Sequence, residues 1–150
     1  MKWKNRMHLE MFLDFIFGGH PVYFDFGDDI AVSVNGCYAV IFGKNELSTE
    51  KMRNVGELNR YEYDDFARSV PANIIKNLFK LDDDEDIIQL ESVKADGERF
   101  CVYVKKQLVD IFPDCSFRCV GALSPIFAMY DGKCVGILMP VRPESVEEIR

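Results

Sequence analysis

The sequence has no CxxC pair, only two histidines, and no run of about 18 apolar residues free of charge. The first two shortages bear on chemistry. Zinc sites draw on closely spaced cysteines and histidines, and His8 and His20 each stand alone. No Ser or Cys sits in a motif that would supply a nucleophile with its base. The chain is therefore expected to be no enzyme, to hold no metal and to use no cofactor. The third shortage leaves no place for a membrane-spanning helix, so no membrane partner is expected. Basic residues are in deficit too: 18 Lys and Arg stand against 25 Asp and Glu, a net charge of -7. That balance excludes a uniformly basic nucleic-acid binder and leaves room only for a local basic face.

Cys37, Cys101, Cys115, Cys119 and Cys134 are an odd set, which does not fit the paired framework of a small secreted scaffold. They are expected to be reduced, mostly small buried hydrophobes of a cytoplasmic protein. The N-terminus opens with positive charge, as a signal peptide would. Glu10 and Asp14 interrupt its apolar stretch, however, and no A-x-A-like cleavage site follows. It reads instead as an amphipathic helix with Leu9, Phe12, Leu13 and Ile16 on its buried face. The acidic run at 82–86 lacks the glycine and spacing of a calcium loop and reads as a solvated helix end.

What the chain has in quantity is apolar surface: 48% of its 150 residues are hydrophobic, with 12 Phe and 6 Tyr, enough for one compact domain. After Gly18 and Gly19 come three runs rich in β-branched and aromatic residues, at 22–26, 30–34 and 37–42. Asn35-Gly36 between the last two predicts a type I′ turn with both residues at φ > 0. Residues 44–65 are polar and weakly patterned, a loop or short helix. Ser69 and Pro71 then predict the start of a helix whose buried side is Ile74, Ile75, Leu78 and Phe79. Two strands follow at 87–93 and 99–104, a short helix at 105–112, and three strands at 115–120, 125–130 and 133–139. Asp131-Gly132 marks the last turn.

The two ends of this pattern repeat. A shift of 96 residues, without a gap, places Leu13-Asp14-Phe15-Ile16 on Val109-Asp110-Ile111-Phe112 and Asn35-Gly36 on Asp131-Gly132. It also places Ala39-Val40-Ile41-Phe42 on Val135-Gly136-Ile137-Leu138. Only Asp14, Ile30, Gly36 and Ile41 are identical over residues 13–42, so the register of turns and apolar runs carries the comparison. The alternatives are two unrelated hairpin units of similar length, or one duplicated β-α-β-β-β unit; the duplication is preferred.

That unit, with a strand ending in Met139-Pro140-Val141-Arg142, resembles one domain of the bacterial DNA sliding clamp, the polymerase III beta subunit. The similarity is best over 86–142. It implies an α+β fold: a duplicated, DNA-clamp-like β-α-β-β-β unit of antiparallel sheets with helices on one face. A single clamp-like domain would span 1–150, with repeat halves at about 7–43 and 98–142 and a helical insertion at about 44–82. The clamp has three such domains per chain and ends at the motif, whereas this chain runs on through 143–150.

The function implied is a non-enzymatic binding or tethering module in DNA replication or repair. The alternative is a regulatory or protein-interaction domain of the same fold that does not bind DNA. By the resemblance, Met139, Pro140, Val141 and Arg142 would line an apolar pocket for a peptide of a polymerase or repair protein. Lys105 and Lys106, Lys76 and Lys80, and Lys4 and Arg6 would face double-stranded DNA, held weakly through phosphates. A ring built from one-domain chains would require a homo-oligomer.

Overall fold

The computed structural model describes residues 1–56, 62–80, 85–142 and 147–148. Helix α1 (Lys2–Ile16) leads into a meander of β1 (Val22–Phe26), β2 (Asp29–Ser33) and β3 (Tyr38–Gly43). The short β4 (Arg53–Asn54), helix α2 (Glu62–Arg68) and the long β5 (Val70–Lys80) come next. Then follow β6 (Glu85–Val93), β7 (Arg99–Lys105) and the one-turn α3 (Lys106–Val109). A second meander, β8 (Ser116–Cys119), β9 (Ile126–Tyr130) and β10 (Lys133–Leu138), precedes β11 (Glu147–Glu148).

The fold is α+β and mostly strand. Among the described residues there is one mixed sheet, ordered β4-β1-β2-β3-β10-β9-β8-β5-β6-β7, with β11 against β5 off that path. The expected set of antiparallel sheets is thus a single sheet, parallel only where β1 meets β4. The expectation of helices on one face also needs correction. Trp3, Met7 and Met11 of α1 and Leu108 of α3 share a core with Val32, Val40, Phe42 and Leu138. Phe66 of α2 packs on the opposite face, its ring 5.4 Å from Phe26 and 5.3 Å from Phe127. Two apolar faces of one sheet must both be covered, and α2 covers part of the second.

Three local expectations fail for identifiable reasons. Helix α1 forms, but Leu9, Phe12, Leu13 and Ile16 are exposed and Trp3, Met7 and Met11 are buried. The helix carries two apolar stripes, and the one with Trp3 wins because its ring packs against Phe112 and Tyr130, at 5.9 and 5.4 Å. Residues 70–80 form β5, not a helix; the apolar spacing fits a helical face, but Ile74 and Ile75, expected buried, are exposed on the strand. Antiparallel partners on both sides, β6 and β8, decide for the strand. Ser69 therefore closes α2 instead of opening a helix: its Oγ donates to the Phe66 carbonyl at 2.6 Å. The side chains at 76–80 and the run 82–84 lie outside the described residues.

The hairpins show how similar patterns close differently. Asp131 and Gly132 take φ of 51° and 76°, the expected two-residue turn. In the first hairpin only Gly36 has positive φ, and Asn35 instead accepts the Cys37 N–H on its Oδ1 at 2.9 Å. The longer loop has a counterpart in the second hairpin, where the register shifts between Cys134 and Gly136. Beyond that bulge Gly136 pairs with Ala128, as Val40 pairs with Val32. At the centre of the sheet Val40 also pairs with Gly136 across the β3–β10 ladder.

Gly136 has no room for a side chain. A Cβ there would fall within the Phe112 ring, itself buried. Gly136→Ala should destabilise the fold by about 1–3 kcal/mol, the usual cost of overpacking. Combined with Phe112→Leu, the loss should be less than additive in urea unfolding. An unchanged urea midpoint for Gly136→Ala alone would show that the ring yields freely.

Candidate functional site

Leaving β10, the chain crosses from one part of the sheet to another. Met139 N–H donates to the Cys37 carbonyl at 3.0 Å, and Val141 N–H donates to the Tyr103 carbonyl of edge strand β7 at 2.8 Å. These two bonds hold Met139, Pro140 and Val141 extended. Met139 is exposed on one side and on the other lines a cavity of about 100 Å³ with Val22, Phe24, Ala39, Val55 and Ile137. Pro140 and Val141 are half-buried and Arg142 is exposed; none of them lines that cavity. Of the four expected pocket residues, the fold brings only Met139 to an apolar recess. The other walls come from β1, the β2–β3 hairpin, β10 and the stretch after β4.

The expected DNA-facing residues are spread over several elements, and several spend their charge within the chain. Lys4 Nζ lies 2.8 Å from Glu46 Oε2 and stands over the Phe42 ring. Arg6 Nε lies 3.1 Å from Glu10, and Lys106 Nζ 2.9 Å from Asp110. The Lys4 contact and the Gly43 N–H hold the Glu46 carboxyl below its usual range. Lys105 ends β7, opposite Ile87. Lys76 and Lys80 stand in β5, with their side chains outside the described residues.

Two features escaped the sequence reading. The Tyr38 hydroxyl, on β3, donates to Glu10 Oε2 at 2.6 Å, so Arg6, Glu10 and Tyr38 bolt α1 to the sheet. Burial first, then that carboxylate, raises the Tyr38 pKa. A wider cleft of about 620 Å³ opens beside Lys4, lined by Asp28, Asp29, Glu46, Tyr63, Tyr130 and Asp131 among others. Its rims include the Asp131-Gly132 turn, legible in the sequence only as a turn, and Asp28 between β1 and β2.

Among the described residues no group of three His, Cys, Asp or Glu side chains is placed to hold a metal ion. The five thiols are free. No helix among those residues is long and apolar enough to cross a membrane. Compared with protein-family models, curated proteins and solved structures, the chain matches none.

Burial pushes the thiols of Cys115 and Cys119 up to about 11 and that of Cys134 up to about 12. In the unfolded chain the same thiols would release their protons near the ordinary value of 9.0. Above that pH the unfolded state binds fewer protons, so stability must fall as pH rises. The urea midpoint is expected to hold steady to about pH 8.5 and drop beyond it. At pH 7.5 exposed Cys37 should label with maleimide well before Cys115, Cys119 and Cys134. A flat midpoint to pH 10.5, or equal labelling rates, would contradict this account.

Proposed function

We propose that the chain is a duplicated β-α-β-β-β unit of the DNA-clamp type, serving as a non-enzymatic binding module whose partner is a protein. Support for the duplication comes from strand register. Val40 and Gly136, 96 residues apart, pair with each other, so a local two-fold axis there would exchange β3 with β10. The same shift carries the Val32–Val40 pair onto Ala128–Gly136. Strands farther from that axis drift: Ser33 pairs with Val22, while its counterpart Met129 pairs with Ser116, two residues off the shifted position. Helices α1 and α3 each precede a meander and share a face of the sheet.

The observation that carries the function is the apolar cavity under Met139. At about 100 Å³ it has room for one aliphatic side chain; ~150 Å³ accommodates a benzene ring. Met139 can bend to varied guests, and Pro140 beside it adds an apolar ring without a backbone donor. An extended peptide from a replication or repair protein, presenting one or two apolar residues, fits this description. DNA fits less well. Phosphate binding releases counterions only when free cations meet the backbone, and Lys4, Arg6 and Lys106 are already paired with acids. Free thiols suit a cytoplasmic setting.

Fluorescence anisotropy with short peptides of the kind that sliding clamps capture tests this reading. The wild-type chain should bind, and Met139→Glu should weaken binding at least about tenfold, or 1.4 kcal/mol, without lowering the melting temperature. Binding unaffected by Met139→Glu would overturn the pocket. Tight, steeply salt-dependent binding of a DNA duplex, with no peptide bound, would restore the DNA-tethering reading in its place.

A further inference from the structure

We infer that a second copy of this chain covers the outer face of α1, the two helices lying antiparallel about a two-fold axis. On the side away from the sheet, Leu9, Phe12, Leu13, Phe15, Ile16 and Phe17 are exposed by 58, 61, 44, 36, 60 and 85%. Leu9, Phe12, Leu13 and Ile16 follow the i, i+3, i+4, i+7 spacing of a helix contact stripe. Together the six present roughly 700 Å² of apolar surface, taking ~150–250 Å² for a large apolar side chain. Contiguous patches on a monomer seldom exceed a few hundred Å², and one partner contributes ~800 Å² to a standard interface. The face is therefore the size of an interface and too large for an ordinary solvated helix.

The helix dipole favours an antiparallel neighbour. The first turn of α1 holds Lys2 and Lys4 and no acid, and its last turn holds no basic residue. Both ends thus oppose the helix's own dipole, which favours acids at the start and bases at the end. An antiparallel copy reverses the penalty. With Leu9 set against Ile16 of the other copy and Phe12 against its Leu13, Arg6 lies ~5 Å along the axis past the last helical residue of its neighbour and Lys2 ~10 Å past it. A groove of about 370 Å³ between α1 and residues 47–52, lined by Met11, Phe12, Phe15, Leu47 and Met52, adjoins the stripe and can take side chains from across the axis.

A lipid surface is the other apolar phase that could cover such a face. Surface-bound helices carry Lys and Arg along the polar flank, whereas here Lys4 and Arg6 are paired with Glu46 and Glu10 and the chain is net -7. The dimer does not depend on the clamp-like duplication or on the Met139 cavity, both of which could fail without touching it.

Light scattering on the full chain, reduced, across 1–200 µM at low salt should give twice the chain mass at the upper end. Phe12→Ser with Ile16→Ser should return a monomer, the dissociation constant rising roughly 100-fold or more. Because both side chains are exposed, the double variant should match the wild-type melting temperature at concentrations where both are monomeric, and should keep the fluorescence of Trp3, the only tryptophan. A wild-type monomer at every concentration overturns the proposal, as does a dimer indifferent to the double change. Binding of the monomer to phosphatidylserine vesicles through the same residues would assign the face to membranes instead.

Discussion

The pairing of Val40 with Gly136 joins the two meanders into one sheet, and the Phe112 ring packs so closely over Gly136 that any side chain there would displace it. Much of the helical face of the molecule depends on where that ring sits. Phe112 follows α3, and its position brings it 5.9 Å from the Trp3 ring and 6.3 Å from Tyr38. Trp3 then fixes the rotation of α1 about its own axis, and the Tyr38–Glu10 hydrogen bond locks it. A missing side chain on β10 thus decides which stripe of a helix more than a hundred residues earlier meets the core. Aromatic packing transmits the constraint, because large rings have few ways to fit together at core density.

That rotation has electrostatic consequences. With Trp3, Met7 and Met11 inward, Glu10 comes beside Tyr38, and Arg6 one turn earlier pairs with it. Lys4 is carried to the loop after β3, where Glu46 meets it and also accepts the Gly43 N–H. Cations that would form a basic stripe on an isolated helix thereby become half of local ion pairs. Such exposed pairs add little stability, but they remove free positive charge from the surface.

Most strands were legible because β-branched and aromatic runs are punctuated by turn glycines; β1, β6 and β7 fall within two residues of their expected limits. Residues 70–80 were not legible, since Ile74, Ile75, Leu78 and Phe79 have helical spacing and only pairing with the neighbouring β6 and β8 makes them a strand. For α1, existence was readable and orientation was not. Its stronger stripe by hydrophobicity is the one left outside, because shape at Trp3 outweighs apolar area at Phe12. Met139 was found from its place at the end of a strand. Its companions Val22, Phe24 and Val55 lie far away in sequence, and no local pattern links them. Lys4 could be seen as a cation, but its partner is 42 residues away.

The two helices also differ at matching places. Ninety-six residues beyond Phe12, Phe15 and Ile16 stand Leu108, Ile111 and Phe112, and all three of the latter are buried. Helix α3 has one turn, emerges directly from β7 and packs against β6 and β7, so its apolar residues are used within the chain. Helix α1 has 15 residues, and the contacts at Trp3, Met7 and Met11 occupy only its sheet-facing side. On the duplicated-unit reading, divergence has shortened one helix into a core element and lengthened the other into a presented one. The length matters physically. A single turn buries its few apolar residues on one side, while four turns can carry one stripe for the core and a second for a neighbour. Retaining four large apolar side chains on that second stripe, with Phe15 and Phe17 beside it, exposes the chain to aggregation unless a defined partner occupies it, which favours an isologous, self-limiting contact over an open-ended one.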